Sequence, residues 1–210
     1  MGEIKNIVFD LGGVLLSLDR DKAVKRFEEI GMADAEQMID PYHQKGIFLD
    51  LEEGRLTRKG FYEKVKEHIG KDISAEAIDY AWMGFIVDVE EYKLSYLLEL
   101  RKKYRVYLIS NTNPIIMGWA RTSGFTSWGQ PIGDFFDRMY TSYEVGACKP
   151  SAVIFDYMIK DSGLNPEETL FVDDGIRNIE KGKELGFVTY CPLNGEDWRP
   201  VLDKLLKKDL

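Results

Sequence analysis

Cysteine is nearly missing from this chain of 210 residues: Cys148 and Cys191 are too few and too far apart for a disulfide framework or a zinc cluster. Histidine is as scarce. No Ser-His-Asp order can be assembled around His43 or His68, so both read as structural or surface residues. Basic charge is in deficit, and a net charge of −8 excludes non-specific binding to nucleic acid, whose phosphates demand a basic surface. No apolar run is long enough to span a bilayer. The opening MGEIKNIVFD has neither an apolar signal core with a cleavage site nor the Ser or Thr of a myristoylation signal. Internal repeats and low-complexity stretches are absent as well. These absences predict a cytoplasmic protein that partners neither membrane nor nucleic acid. What is present is an ordinary globular composition, 44% hydrophobic and 30% charged, sufficient for one large domain or a core with an inserted subdomain.

The most informative stretch is Lys5 to Asp19, KNIVFDLGGVLLSLD. Ile7-Val8-Phe9 reads as a buried parallel strand, and Asp10 follows it directly, beside the turn-forming Gly12 and Gly13. A carboxylate at the tip of a first strand can ligate a metal, attack an electrophile, or simply cap the turn. From about residue 17 to 87 the periodicity is helical, with no strand expected. Asp19 to Gly31 forms a helix with Ala23, Val24, Phe27 and Ile30 inward, and a second covers Ala35 to His43. Glu52 to Leu56 reads as a turn, Thr57 caps a helix over Arg58 to Ile69, and Ser74 starts another that runs through Trp82 and Phe85. Trp82, Phe85 and Trp128 read as packing residues, although a cap aromatic can also stack on a substrate ring.

Beyond Val89 strands and helices alternate. Strands are expected at Arg105–Ile109, Met139–Ser142, Thr169–Val172 and Phe187–Cys191. Helices are expected at Tyr92–Leu100, after Pro114, at Val153–Asp161, Ile176–Leu185 and Trp198–Leu206, with a loop over Tyr143–Pro150. Such alternation implies a parallel sheet with right-handed crossovers. Asp10, Ser110 and Asp173 each fall at the end of a strand, so the sheet would gather them at its carboxyl edge. Taken singly, Asp173-Asp174 and Ser110-Asn111-Thr112 are also plain capping sequences, and Lys149 a solvated loop cation. Cys148 reads either as a small buried residue or as a thiol activated by Lys149.

The ordered set resembles the haloacid dehalogenase superfamily in its phosphatase branch. Phe9-Asp10-Leu11-Gly12-Gly13-Val14 is similar to the family's first motif, Ser110-Asn111-Thr112 to the second, Lys149-Pro150 before a helix to the third, and Val172-Asp173-Asp174 with Asn178 to the fourth. The helices inserted after the first motif resemble a C1-type cap, and FDLGG resembles the FDLGN of bacterial α-glucose-1-phosphatases. The resemblance implies an α/β fold, with a Rossmann-like parallel sheet core (1–16 and 88–210) and an inserted all-α helical cap (17–87). It also implies Mg2+ and an aspartyl-phosphate route. Asp10 would be the nucleophile and Lys149 the catalytic cation. Leu11, Ser110, Asn111 and Lys149 would bind phosphate. Asp10, the Gly12 carbonyl and Asp173 would hold the metal, with Asp174 and Asn178 behind them. The substrate would be a small phosphorylated metabolite, a sugar 1-phosphate being one candidate, and the protein a monomer or weak dimer. The cap turn Glu53-Gly54-Arg55 is expected to reach the site.

One position departs from the pattern. Most phosphatases of the family carry an aspartate two residues after the nucleophile as general acid and base, and this chain has Gly12. That argues against a phosphomutase. It predicts a preference for leaving groups that depart with little protonation, and leaves the metal, Asp174 or a water chain to activate the hydrolytic water. Two other readings stand beside the phosphatase: a metal-independent 2-haloacid dehalogenase, and a non-catalytic relative that binds a phosphometabolite or a partner.

Overall fold

The computed structural model describes residues 3–40 and 44–207. The elements run β1 (Asn6–Phe9), β2 (Leu16–Leu18), α1 (Arg20–Glu29), α2 (Ala35–Met38), α3 (Gly46–Glu52), α4 (Arg58–Ile69), α5 (Ala75–Trp82) and β3 (Ile86–Val89). They continue with α6 (Glu91–Leu100), β4 (Arg105–Ser110), α7 (Pro114–Ala120), β5 (Arg138–Thr141), α8 (Ser142–Val145), α9 (Ala152–Ser162), β6 (Thr169–Val172), α10 (Ile176–Glu184), β7 (Val188–Tyr190) and α11 (Arg199–Lys207).

Five strands form one parallel sheet in the order β5-β4-β1-β6-β7. β1 is central because every residue in it is buried, as a strand covered on both faces must be. Its register, Phe9 opposite Leu108 and Val172, brings the ends of β1, β4 and β6 level. Asp10, Ser110 and Asp173 therefore emerge together. Leu97, Val106, Leu108 and Trp198 pack one face of the sheet, and Tyr107, Ile154, Phe155 and Ile179 the other.

The helices from α1 to α5 share a separate core of Phe27, Phe48, Phe61 and Trp82. The Phe48 ring stacks on Trp82 at 5.0 Å, while Phe27 and Phe61 meet it edge-on. Ile115 and Ile116 of α7 complete this cluster, so the helical layer is seated on the sheet domain by apolar contact. The capping residues act as expected: Asp19, Thr57 and Ser74 each accept from an amide of the first helical turn.

The expectation of no strand between 17 and 87 fails at both limits. Leu16–Leu18 and Ile86–Val89 pair as an antiparallel ribbon, Leu16 opposite Val89, and each residue number taken as a boundary lies inside a strand. α3 was not foreseen, and the second helix ends at Met38, with Pro41 to His43 outside the described residues. The loop expected over Tyr143–Pro150 begins with α8.

Behind the ribbon sits a buried polar knot. Lys93 is fully buried, paired with Glu90, and donates to the Val14 carbonyl at 2.8 Å. Trp198 Nε1 donates to the same carbonyl at 2.8 Å, and Gly195 N donates to the Gly13 carbonyl. The turn after Asp10 is thereby held by α6 and by the chain's C-terminal segment.

Candidate active site

Asp10 leaves β1 buried, with its amide donating to the Val172 carbonyl. Lys149 arrives from the loop after α8 with its ammonium wholly enclosed. It lies 3.0 Å from Asp10 Oδ1 and 2.6 Å from Asp173 Oδ2, and it donates to the Ile109 carbonyl at 2.9 Å. Burial works against the charged ammonium, yet Asp10 and Asp173 outweigh it and hold the Lys149 pKa above its ordinary value. The expected pair of catalytic residues is thus in direct contact.

Asp173 is fully buried and committed on both oxygens. Oδ2 faces Lys149, while Oδ1 accepts from Gly175 N at 2.8 Å and Asn178 Nδ2 at 2.9 Å. Asp174 is half-buried, and no side-chain hydrogen bond to its carboxyl is seen among the described residues. The carboxyl leans on Gly13, where a Cβ would fall 2.1 Å from Oδ2 and where φ is +70°. Only glycine serves at that position, for reasons of both space and backbone. Oxygens of Asp10, Asp173 and Asp174 all lie within 4.8 Å of one another.

One ammonium cannot neutralise three carboxylates. Burial pushes Asp10 up to about 7, with Lys149 opposing and Asp173 and Asp174 adding to the rise. Burial, then Asp173, lifts Asp174 to about 6. An all-oxygen, electron-rich site of this kind fits a hard divalent cation.

The groups expected to bind phosphate stand close by. Ser110 is buried and lines a cavity with Leu11, Gly12, Asn111, Thr112 and Asn113. The Leu11 amide points at Asp10 Oδ1, 2.6 Å away. The Asn111 side chain clamps the main chain of Lys149, donating to its carbonyl at 2.9 Å and accepting from its amide at 2.7 Å, so only its amide is left for phosphate. Gly12 lies outside the left-handed region, and a Cβ there would meet only the tip of Leu18 at 2.7 Å. The glycine is therefore not demanded by its backbone.

From the helical layer, Gln44, Glu52, Trp82 and Phe85 close the cavity. Glu52 went unnoticed in the sequence because it stands at the head of an acidic turn. Its spacing from Phe48 and Leu51, both fully buried, was the available signal. The residues expected to reach inward do not: Arg55 pairs with Asp50 and Glu53 and is half exposed. His68 bonds Asp34 on the outer side of the helices, and His43 lies outside the described residues. Trp128 is exposed and packs against Phe135. Burial raises the Cys148 thiol to about 12, which makes it inert.

This arrangement, a parallel sheet presenting a buried carboxylate trio and one lysine beneath a helical layer, suits an enzyme in which a carboxylate attacks an electrophile. The haloacid dehalogenase-like hydrolase model matches residues 4–186, and the chain belongs to that family. A D-ribitol-5-phosphate phosphatase of Bacteroides thetaiotaomicron is 52% identical over 203 residues, covering 97% of this chain and 98% of that protein. A predicted HAD-like family hydrolase from Porphyromonas gingivalis superposes with a TM-score of 0.94 at 45% identity, covering 98% of this chain and 99% of that one. A HAD family enzyme from B. thetaiotaomicron, solved with magnesium and inorganic phosphate, gives a TM-score of 0.87 at 42% identity over 94% of this chain and 98% of that one. Among the described residues no helix is long and apolar enough to cross a membrane.

Proposed function

We propose that the protein is a Mg2+-dependent phosphatase that hydrolyses a small phosphate monoester through an aspartyl-phosphate on Asp10. The observation that carries this reading is the contact of Asp10 with Lys149, 3.0 Å apart, inside a trio of carboxylates. Asp10 would attack phosphorus, Lys149 would hold Asp10 and the phosphoryl oxygens together, and Ser110 with the Leu11 and Asn111 amides would bind those oxygens. Mg2+ would neutralise the charge of the phosphate and of the attacking carboxylate, which otherwise repel. Asp10, Asp174 and the Gly12 carbonyl are the groups we assign to hold it. Asp173, with both oxygens engaged, orients Lys149 and, with Asn178, backs the site. The roles expected of Asp173 and Asp174 are exchanged in this assignment, on the strength of their hydrogen bonding.

The 52%-identical relative is a D-ribitol-5-phosphate phosphatase, which supports a polyol or sugar phosphate with a primary ester over a sugar 1-phosphate. The helical segment between the ribbon strands serves as the cap over that substrate. We take the protein to act as a monomer or weak dimer, and a metabolic phosphatase of this kind to belong in the cytoplasm. A metal-independent dehalogenase fits less well, because among the described residues three carboxylates face a single buried cation, Lys149.

The direct test is phosphate release from D-ribitol 5-phosphate with and without Mg2+. Turnover that vanishes with chelator and returns with Mg2+ is expected; chelator-resistant turnover refutes the metal assignment.

Melting temperature provides a second test. Asp10 and Asp174 keep protons to about 7 and about 6 when folded, whereas unfolded aspartates ionise near 3.9. Between those values the folded state binds more protons, so the metal-free protein loses stability as pH rises from about 4 to 7. Mg2+ competes with those protons. Its stabilisation, about 2.7 kcal/mol at a hundred times Kd, is expected to be full at pH 8 and much reduced at pH 5.5. An equal shift in Tm at both pH values would contradict this.

A further inference from the structure

Glu52 ends α3 and lines the cavity together with Gly12, Ser110 and Asn111, close enough to Asp10 for the two carboxyls to repel. Only 8% of the residue is exposed, and among the described residues no hydrogen bond or ion pair engages the carboxyl. It is also the one titratable group among the described residues that line this cavity.

Its placement is enforced by the next turn. Gly54 has φ +69° and lies so close to the core that a Cβ would be 2.2 Å from the Tyr143 carbonyl oxygen. The main chain just after Glu52 is therefore pressed onto α8, the helix that leads into the loop carrying Lys149. The charged and titratable groups that face Glu52 are Asp10, whose charge it feels from beyond the cavity wall, and Cys148, which Arg55 of the docked turn and Lys149 also face; Lys149 is itself held by Asp10 and Asp173. Burial and then Asp10 raise the Glu52 carboxyl to about 8, so it carries a proton at neutral pH.

We infer that Glu52 is the general acid and base of the reaction, delivered by the helical cap to the place that Gly12 leaves without one. The inference rests on the phosphatase reading and deepens it at the same site. In an in-line displacement the leaving oxygen stands opposite the Asp10 oxygen, and the water of the second step later occupies that same apical place. One carboxyl on the cap side can therefore serve both steps. As the Asp10–phosphorus bond forms, the phosphorus–ester oxygen bond breaks with its electron pair going to the leaving oxygen, which takes the Glu52 proton. Water then attacks phosphorus and gives a proton to the Glu52 carboxylate. The Asp10–phosphorus bond breaks with its pair returning to Asp10, and phosphate departs.

The test compares two esters in the presence of Mg2+. D-Ribitol 5-phosphate releases a primary alkoxide that needs a proton, whereas 2,4-dinitrophenyl phosphate releases a stable phenolate. For Glu52→Gln, kcat/KM on the ribitol ester is expected to fall about 10²–10⁴-fold, and on the aryl ester less than tenfold. Glu52→Asp should recover part of the ribitol activity. Equal losses on both esters, or a loss under tenfold on the ribitol ester, overturn the inference and point to a packing role. Should Glu52→Gln fail to fold, the wild type decides. Its ribitol-to-aryl ratio of kcat/KM should fall as pH rises past the Glu52 pKa, and a flat ratio overturns the assignment. Wild-type turnover of the aryl ester alone also overturns it, because a competent acid is what an alkyl ester requires. No Mg2+-dependent turnover of either ester would sink the phosphatase reading and this inference with it.

Discussion

Replacing Asp10 with Asn is expected to lower kcat by about 10⁴-fold or more, the scale seen when a nucleophile is removed, while raising the stability of the metal-free protein. The amide is nearly isosteric but a poor nucleophile. The wild-type carboxylate is buried at 9% exposure and repelled by Asp173 and Asp174, so a neutral group in its place relieves strain among like charges. Both halves are measurable, by phosphate release with Mg2+ and by the melting temperature in chelator. Wild-type turnover in Asp10→Asn would refute the aspartyl-phosphate route. A lower melting temperature would show that the carboxylate stabilises the fold through Lys149 more than it strains it.

Lys149→Met is expected to fail in both respects. The side chain has 0% exposure, and two carboxylates lie within 3.0 Å of its nitrogen. Removing one member of a buried ionic cluster costs about 3–5 kcal/mol, because the charges left behind are unpaired. For a chain of this length that corresponds to a fall in Tm on the order of 10 °C. Methionine retains most of the volume, so the loss isolates the charge. Activity should fall even where the protein remains folded, since among the described residues no other side-chain cation pairs with the Asp10 carboxylate. Mg2+ should restore part of the stability and little of the rate. Full activity in the folded variant would remove Lys149 from the catalytic assignment.

Much of this site could be read from the sequence because each of its parts hangs on a strongly patterned element. Ile7-Val8-Phe9 and Thr169–Val172 are apolar runs with a carboxylate at the tip, and the parallel register leaves those tips nowhere to go but together. The ribbon escaped notice because its strands are three and four residues long and separated in sequence, Leu16 pairing with Val89. No local pattern announces such a partnership. Glu52 escaped because an acidic residue beside a second acid and a glycine looks like surface, and only the burial of Phe48 and Leu51 turns that helix face inward. The division of labour between Asp173 and Asp174 was likewise illegible. Adjacent carboxylates are alike until one is seen to accept from Lys149, Gly175 and Asn178.

The central position of β1 also fixes an order of events at the ribosome. Its two neighbours are β4 and β6, and Asn6 pairs with Thr169, so the first strand made must wait for about 160 further residues before its second edge is covered. At roughly 5–20 residues per second that is a delay on the order of ten to thirty seconds. The helices from Arg20 to Trp82 close on one another once α5 is made, Phe27 of α1 meeting Trp82 of α5, well before Thr169 is reached. The helical layer can therefore form before the sheet on which it sits is complete. The Val14 carbonyl receives its indole donor from Trp198, so the turn after Asp10 acquires that tether only once Trp198 has emerged. A nascent chain stalled short of Trp198 would leave uncovered the Phe9 ring of β1, which packs on that indole at 5.1 Å, and apolar surface left open in this way is what makes incomplete chains aggregate.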